Sequence, residues 1–248
     1  MEVHHHPDLH HKSKRWKEYL LEGLMIFVAV MLGFFAESLR ENMGDRQKEK
    51  EYISSFIKNL EDDTANLKNT ILENELKIKG LDSLSSLSFK NIDEPETRKF
   101  FYRYISKYTS LTSVFISNDA TMMQLKNSGA LRFIKQNHVA DSIANYDFAV
   151  RDIYLSQVPY SKAINDVMEA TQELLVDNVY ADSSYFKNGS FTNKTLPLLT
   201  SDPQKIKIFF NKVYYERGWT QNYVRNLQAW LPFAINLIDF LKKEYGSE

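Results

Sequence analysis

Residues 14–42 read "KRWKEYLLEGLMIFVAVMLGFFAESLREN", an apolar run enclosed on both sides by charged residues. Its low-polarity window, residues 19–39, would form roughly 31 Å of α-helix at ~1.5 Å per residue, which is about the thickness of a hydrocarbon core. Glu22 and Glu37 fall close to the two ends of the window, where a carboxylate can reach headgroup water. The stretch therefore predicts a transmembrane helix.

Two other interpretations of this stretch fit a basic start followed by a short apolar core. One is a cleaved secretory signal, which needs small residues at the first and third positions before the cut. Ala36 is small, but Phe34 stands two residues before it. The other is a core helix of a soluble domain. The sequence favours an uncleaved signal anchor over both.

Basic residues on the two flanks predict the orientation of the anchor, because Lys and Arg near a span are retained in the cytoplasm. The preceding flank carries Lys12, Lys14, Arg15 and Lys17, whereas basic residues on the following flank are mixed with acidic ones. We therefore expect a cytoplasmic tail over residues 1–18, a signal anchor over 19–39 and an extracytoplasmic domain over 40–248.

Composition narrows the classes of protein that fit the sequence. The chain has no cysteine, so it tolerates an oxidising compartment without forming disulfides. Its net charge is −1 and opposite charges are interspersed, which argues against nucleic acid as a partner. With 43% apolar residues, the part after the anchor can form one domain with a core of its own.

Residues 44–88 have the pattern of one long helix. Its seam alternates steps of four and three residues over Ile53, Ile57, Leu60, Thr64, Leu67, Ile71, Asn74, Ile78 and Leu81. The polar members Thr64 and Asn74 are typical of positions that fix register. The seam predicts either packing within the chain's own bundle, which we favour, or an intermolecular coiled coil.

Further helices are expected after a Ser-rich break. Asp93 or Glu94 caps a helix that has Pro95 in its first turn, and an apolar face continues it from Phe101 to Phe115. A short helix follows from Ala120 and ends near Gly129, which can adopt the left-handed conformation.

The last third of the chain shows a long helix, a loop and a final pair of helices. Asn137 or Asp141 opens the long helix, which Pro159 would bend or interrupt. Residues 179–201 form a loop with a possible hairpin at Asn188 and Gly189. Asp202 and Pro203 start another helix, Gly218 marks a joint, and residues 219–245 form the last helix. The predicted fold is all-α: one transmembrane helix followed by an antiparallel helical bundle.

Two stretches resemble an uncharacterised family of single-pass envelope proteins of Gram-negative bacteria. They are "RWKEYLLEGLMIFVAVMLGFFAESLRE" followed by "EKEYISSFIKNLEDDT", and "MMQLKNSGALRFIKQNHVADSIANYD". The resemblance covers about 70 residues. It implies an anchor in the bacterial inner membrane and a helical periplasmic domain, and it assigns no functional residue and no cofactor.

Catalytic and metal chemistry has few candidates in this sequence. The tail holds His4, His5, His6, His10 and His11, which could chelate a borderline metal but are more typical of a solvated leader. His138 is the remaining histidine, expected at the surface or at a helix start. Glu61, Asp62 and Asp63 are expected on a solvated helix face. No nucleotide-binding or zinc-protease motif occurs, so we expect no enzyme activity.

A shared face inside the predicted anchor is a candidate helix–helix contact. It consists of Glu22, Ile26, Ala29, Gly33 and Glu37. Small residues four apart let another helix approach closely. Two interpretations remain open: a contact with a partner helix, or a lipid-facing stripe with its acids among the headgroups.

The predicted function is that of a membrane-anchored, non-enzymatic helical module for protein–protein interaction or assembly in the cell envelope. Its partner would be another envelope protein or a second copy of the chain. The alternative is a sensor-like or solute-binding bundle, in which Tyr154, Trp219 or Trp230 lines an aromatic pocket.

Overall fold

The computed structural model describes residues 16–246, and the chain is mostly helical, at 81%. The α-helices are α1 (Trp16–Ser85), α2 (Pro95–Tyr104), α3 (Ala120–Asn127), α4 (Asn137–Leu174) and α5 (Pro203–Tyr245). A π-helical turn covers Ile105–Thr109, and 3-10 turns cover Ser86–Phe89, Ala130–Phe133 and Asp177–Tyr180. Two short strands pair in antiparallel fashion, β1 (Phe186–Lys187) and β2 (Ser190–Phe191). The predicted all-α class is confirmed at this level.

Helix α1 contributes to two compact units, which divide between Glu51 and Tyr52. In the first unit, the described residues are helical throughout and the apolar side chains of the predicted anchor are exposed. By length and composition this helix could cross a membrane, a criterion that signal sequences and soluble core helices also meet.

In the second unit, the predicted seam of α1 faces the interior. Ile53, Leu60 and Leu81 have no exposed surface, and the polar seam residues Thr64 and Asn74 are buried as well. Residues of α4 and α5 complete the same cores. The seam is therefore covered by the chain's own helices, as the preferred interpretation expects.

The second unit has two apolar clusters with a polar layer between them. One cluster joins the Ile53–Ile71 stretch of α1 to α3, α4 and the later part of α5, and the other joins Leu81 and Leu84 to α2 and the earlier part of α5. Between Ile71 and Leu81, the buried side chains of α1 include Asn74 and Lys77. Between Val213 and Tyr223, those of α5 are Glu216 and Thr220. This polar layer positions the candidate site.

Several predicted boundaries are confirmed. Glu94 is the residue before α2, with Pro95 in its first turn, and Gly129 has φ 67° after α3. The Asp202 carboxylate accepts a hydrogen bond of 2.9 Å from the Gln204 N–H and caps α5. Asn188 and Gly189 have φ of 52° and 75° between the two strands, which is the conformation of a two-residue hairpin.

The predicted joint at Gly218 is wrong, because α5 is one helix through that residue. Of the two outcomes predicted at Pro159, a bend or an interruption, the interruption does not occur, since α4 continues through it. A glycine inside a helix costs only about 1 kcal/mol. Burial of Val213 and Thr220 on either side of Gly218 offsets that cost. Leu155, whose carbonyl loses its donor at Pro159, is exposed, so water can satisfy that carbonyl.

The predicted helical face from Phe101 to Phe115 is also wrong in its second half. The helix ends in the π turn, and residues 111–118 have no helix or strand assignment. We call residues 111–118 the strap. Its sequence, "LTSVFISN", is rich in Ser, Thr and β-branched residues, which favour other conformations over a helix.

Candidate functional site

The strap lies across the second unit and is bound mainly by side chains of three helices. Main-chain groups of a buried segment must find hydrogen-bond partners, and here the partners come from α1, α4 and α5. Strap N–H groups bond Tyr160, Tyr223, Tyr154 and Asp63, and strap carbonyls bond Lys77, Asn74, Gln157 and Asn66. The strap is thus held in the way that a protein binds an extended peptide.

Asp63 closes one end of the strap. Its two carboxylate oxygens accept hydrogen bonds from the Asn118 N–H at 2.6 Å, the Ser117 hydroxyl at 2.5 Å and the Tyr146 hydroxyl at 2.6 Å. Asp63 is buried, so its predicted place on a solvated face is wrong. Its neighbours Glu61 and Asp62 are exposed, as expected.

Two stacked tyrosines support the middle of the strap. The rings of Tyr160 and Tyr223 lie 4.7 Å apart between centroids. The Tyr160 hydroxyl donates to Asn74 Oδ1 at 2.8 Å and accepts from the Ser113 N–H. Burial raises the pKa of both phenols, so both stay protonated and able to donate. Asn74, which the sequence predicts as a position that fixes helix register, therefore holds the strap in place.

A fully buried ion pair joins α1 to α5 beside the strap. Lys77 Nζ lies 2.7 Å from Glu216 Oε1, and neither side chain has exposed surface. Lys77 Nζ also donates to the Leu111 carbonyl at 2.6 Å. Oε2 of Glu216 is buried and accepts no hydrogen bond from the described residues. The pair is inaccessible to a substrate in this conformation.

Burial shifts the pKa of both partners against their charged forms. It raises the pKa of Glu216 to about 7, although the charge of Lys77 opposes the shift. It also lowers the pKa of Lys77 below its ordinary value, with Glu216 opposing. Desolvation therefore outweighs the attraction between the two groups.

The second unit also presents an aromatic surface on α5, formed by Tyr214, Tyr215 and Trp219. These side chains are 66%, 62% and 39% exposed. With Asn211, Gly218 and Asn222 they line an open cleft of about 450 Å³. None of these lining residues is charged, and a Cβ added at Gly218 would meet no atom within 4 Å.

The three aromatic residues predicted to line a pocket have different surroundings. Trp219 belongs to the aromatic surface. The Trp230 ring N–H donates to Asp152 at 2.9 Å, and the Tyr154 hydroxyl accepts from the Ser117 N–H at 3.1 Å. Two of the three rings therefore have hydrogen-bonding roles within the fold.

The predicted membrane face lies along α1 in the first unit. Glu22, Ile26, Ala29, Gly33 and Glu37 are all exposed, and a Cβ added at Gly33 would meet no atom within 4 Å. Glu37 pairs with Arg40 at 2.5 Å. The face is open to contact with another helix.

The predicted metal candidates His4, His5, His6, His10 and His11 lie outside the described residues. Within residues 16–246, no group of three or more His, Cys, Asp or Glu side chains could hold a metal ion. His138 is exposed in the first turn of α4, with its ring against Phe240.

Sequence reasoning missed the Lys77–Glu216 pair. A signal for it exists in α5, where Glu216 stands in a stripe of otherwise apolar or neutral residues at helical spacing. The members of that stripe are Val213, Glu216, Thr220, Tyr223 and Leu227. A single acid in such a stripe indicates a buried cation on a neighbouring helix.

Comparisons of this chain with protein-family models, with curated proteins and with solved structures give no match.

Proposed function

We propose that this chain is a membrane-anchored, non-enzymatic helical module that acts by protein–protein contact in the cell envelope. In this proposal residues 19–39 anchor the chain in the bacterial inner membrane, with the N-terminus in the cytoplasm and an antiparallel helical bundle in the periplasm. The observation that carries the proposal is the exposure of Tyr214, Tyr215 and Trp219 together on α5.

Tyrosine and tryptophan are the residue types that contribute most to binding at protein interfaces. The centre of such an interface is depleted in charge, and the aromatic surface has no charged residue among its described lining residues. Burying a large apolar side chain contributes about 1.5–3 kcal/mol. Three exposed rings around Gly218 therefore suit a partner helix that can approach the α5 backbone.

The strap and the polar layer support a scaffold over an enzyme. Their titratable groups Asp63, Lys77 and Glu216 are buried and bonded to the chain itself. Catalysis needs such groups to reach a reacting atom. In this arrangement they instead hold the helices that present the aromatic surface.

Site-specific crosslinking in cells tests the aromatic surface. A photoreactive amino acid at Tyr215 should give a crosslinked product, whereas the same amino acid at Leu155, which is 71% exposed on α4, should give none. Co-expression of two differently tagged copies distinguishes a second copy from another protein. Equal yields from the two positions, or no product from Tyr215, would overturn the assignment of this surface.

Disulfide crosslinking tests the membrane face separately. The chain has no cysteine, so Gly33→Cys introduces a single reactive thiol. If the small-residue face contacts a second copy, Gly33→Cys should trap a dimer, and Val28→Cys and Phe35→Cys should give much lower yields. Similar yields from the three positions would favour the lipid-facing interpretation.

A further inference from the structure

The π-helical turn Ile105–Thr109 is a second part of the fold that is a candidate for a functional role. π turns are rare and are frequent at functional sites. Here the turn follows α2 directly, and the chain leaves helical structure after Thr109. Side chains of this turn and of Ser110 form one wall of a surface cleft.

This cleft has a volume of about 200 Å³ and lies between the π turn, α4 and the 3-10 turn Asp177–Tyr180. A cleft of this size has room for a small organic molecule. Its lining contains five hydroxyl groups and one carboxylate: Ser106, Thr109, Ser110, Thr171, Tyr180 and Asp177.

Four of these five hydroxyl groups, those of Thr109, Ser110, Thr171 and Tyr180, already donate their hydrogens to main-chain carbonyls at 2.8–3.4 Å. A hydroxyl oxygen that has donated still offers lone pairs. The hydroxyl wall of the cleft is therefore rich in acceptors.

The electrostatics of the cleft are also negative. Asp177 is exposed and makes no ion pair with the described residues, and no Lys or Arg is among the described lining residues. The wall also includes the C-terminal turn of a helical segment, Ser106 to Ser110, which carries the partial negative charge of a helix C-terminus. A ligand that donates hydrogen bonds and carries positive charge therefore suits this cleft.

We propose that the cleft between the π turn and the Asp177–Tyr180 turn binds a small organic cation, a primary amine with at least one further hydrogen-bond donor. The ammonium group pairs with the Asp177 carboxylate, and the second donor bonds the hydroxyl oxygens of the π turn. Met168, on the α4 side of the cleft, contacts the carbon chain of the ligand. This site is independent of the proposed protein contact through α5.

Calorimetric titration of the full chain in detergent tests this site with 1,4-diaminobutane as the probe. The diamine should bind saturably, and 1,4-butanediol should not, because it has the same length and two donors but no charge. Asp177→Asn should weaken diamine binding about tenfold or more, since it removes the charge from a charge-assisted hydrogen bond.

Two matched variants complete the test. Glu169→Gln removes an exposed carboxylate of α4 that does not line the cleft, so it should leave binding unchanged. Met168→Trp fills the cleft without changing charge and should abolish binding. The proposal is overturned if the diol binds as tightly as the diamine, if Asp177→Asn binds the diamine normally, or if no saturable binding occurs at millimolar diamine.

Discussion

The two halves of α1 present the same kind of side chain to different surroundings. Residues 20–39 are mostly apolar and exposed, whereas the apolar residues at the seam between Ile53 and Leu81 are buried or half-buried against the chain's own helices. The first half repeats apolar residues all round the helix. The second half restricts them to one stripe and interrupts the stripe with Thr64 and Asn74. The difference shows that the pattern around the helix, more than its apolar content, determines what covers it.

The largest expected effect concerns Lys77 in the second half. Lys77→Met leaves Glu216 buried without its cation, which should cost about 3–5 kcal/mol of unfolding free energy. Thermal unfolding of the full chain in detergent, followed by circular dichroism, measures the loss.

Two further variants separate this effect from a general effect of losing a lysine. Lys79→Met, two residues away on the exposed face, should change the unfolding free energy by less than about 0.5 kcal/mol. Lys77→Met combined with Glu216→Leu should recover most of the stability, because it removes both charges. A double variant as unstable as Lys77→Met would contradict this account.

The next largest effect concerns Gly80, which is compared with Gly44, a glycine earlier in α1. A Cβ added at Gly80 would clash with the Tyr108 ring, whereas one added at Gly44 would meet no atom within 4 Å. Gly80→Ala should therefore destabilise the protein by about 1–3 kcal/mol through overpacking. Gly44→Ala should be neutral or stabilising by up to about 1 kcal/mol, through helix propensity.

Removing the obstructing ring checks the cause of the Gly80 effect. In a Tyr108→Ala background, Gly80→Ala should no longer destabilise, because the added methyl then has room. If it still destabilises by the same amount, contact with Tyr108 does not explain the requirement for glycine.

The last prediction concerns the pH dependence of the buried pair. Because the pKa of Glu216 is raised from 4.5 to about 7 in the folded state, the folded state binds its proton more tightly than the unfolded state does. The stability of the wild type relative to Glu216→Gln should therefore fall as pH rises from about 4.5 to 7. Melting temperatures of both proteins over this range measure their relative stability. If the wild type gains stability relative to Glu216→Gln as pH rises, the assigned sign is wrong.

Local signals in the sequence predicted much of the helical framework. The seam of α1, the cap at Asp202 and the turn at Asn188 and Gly189 each depend on residues close in the chain, so their patterns could be read directly. The aromatic surface could be predicted only in part. The sequence predicts Trp219 as a candidate, but the exposure of Tyr214 and Tyr215 beside it depends on which face of α5 is covered.

The strap and the ion pair could not be predicted in the same way because their partners are distant in the chain. Asp63 has the sequence context of a solvated acid, and its burial depends on Ser117, Asn118 and Tyr146. Likewise, the apolar spacing between Phe101 and Phe115 fits a helix. Side chains of three other helices instead hold its second half extended.

The way in which the strap is held has a consequence for folding cooperativity. The amide hydrogens of Ser113 and Phe115 are bonded to buried side chains of α4 and α5. No neighbouring strand protects these amides, so their exchange with deuterium requires the separation of long helices. We therefore expect these two amides of an irregular segment to exchange as slowly as the helical core, at the rate of global opening.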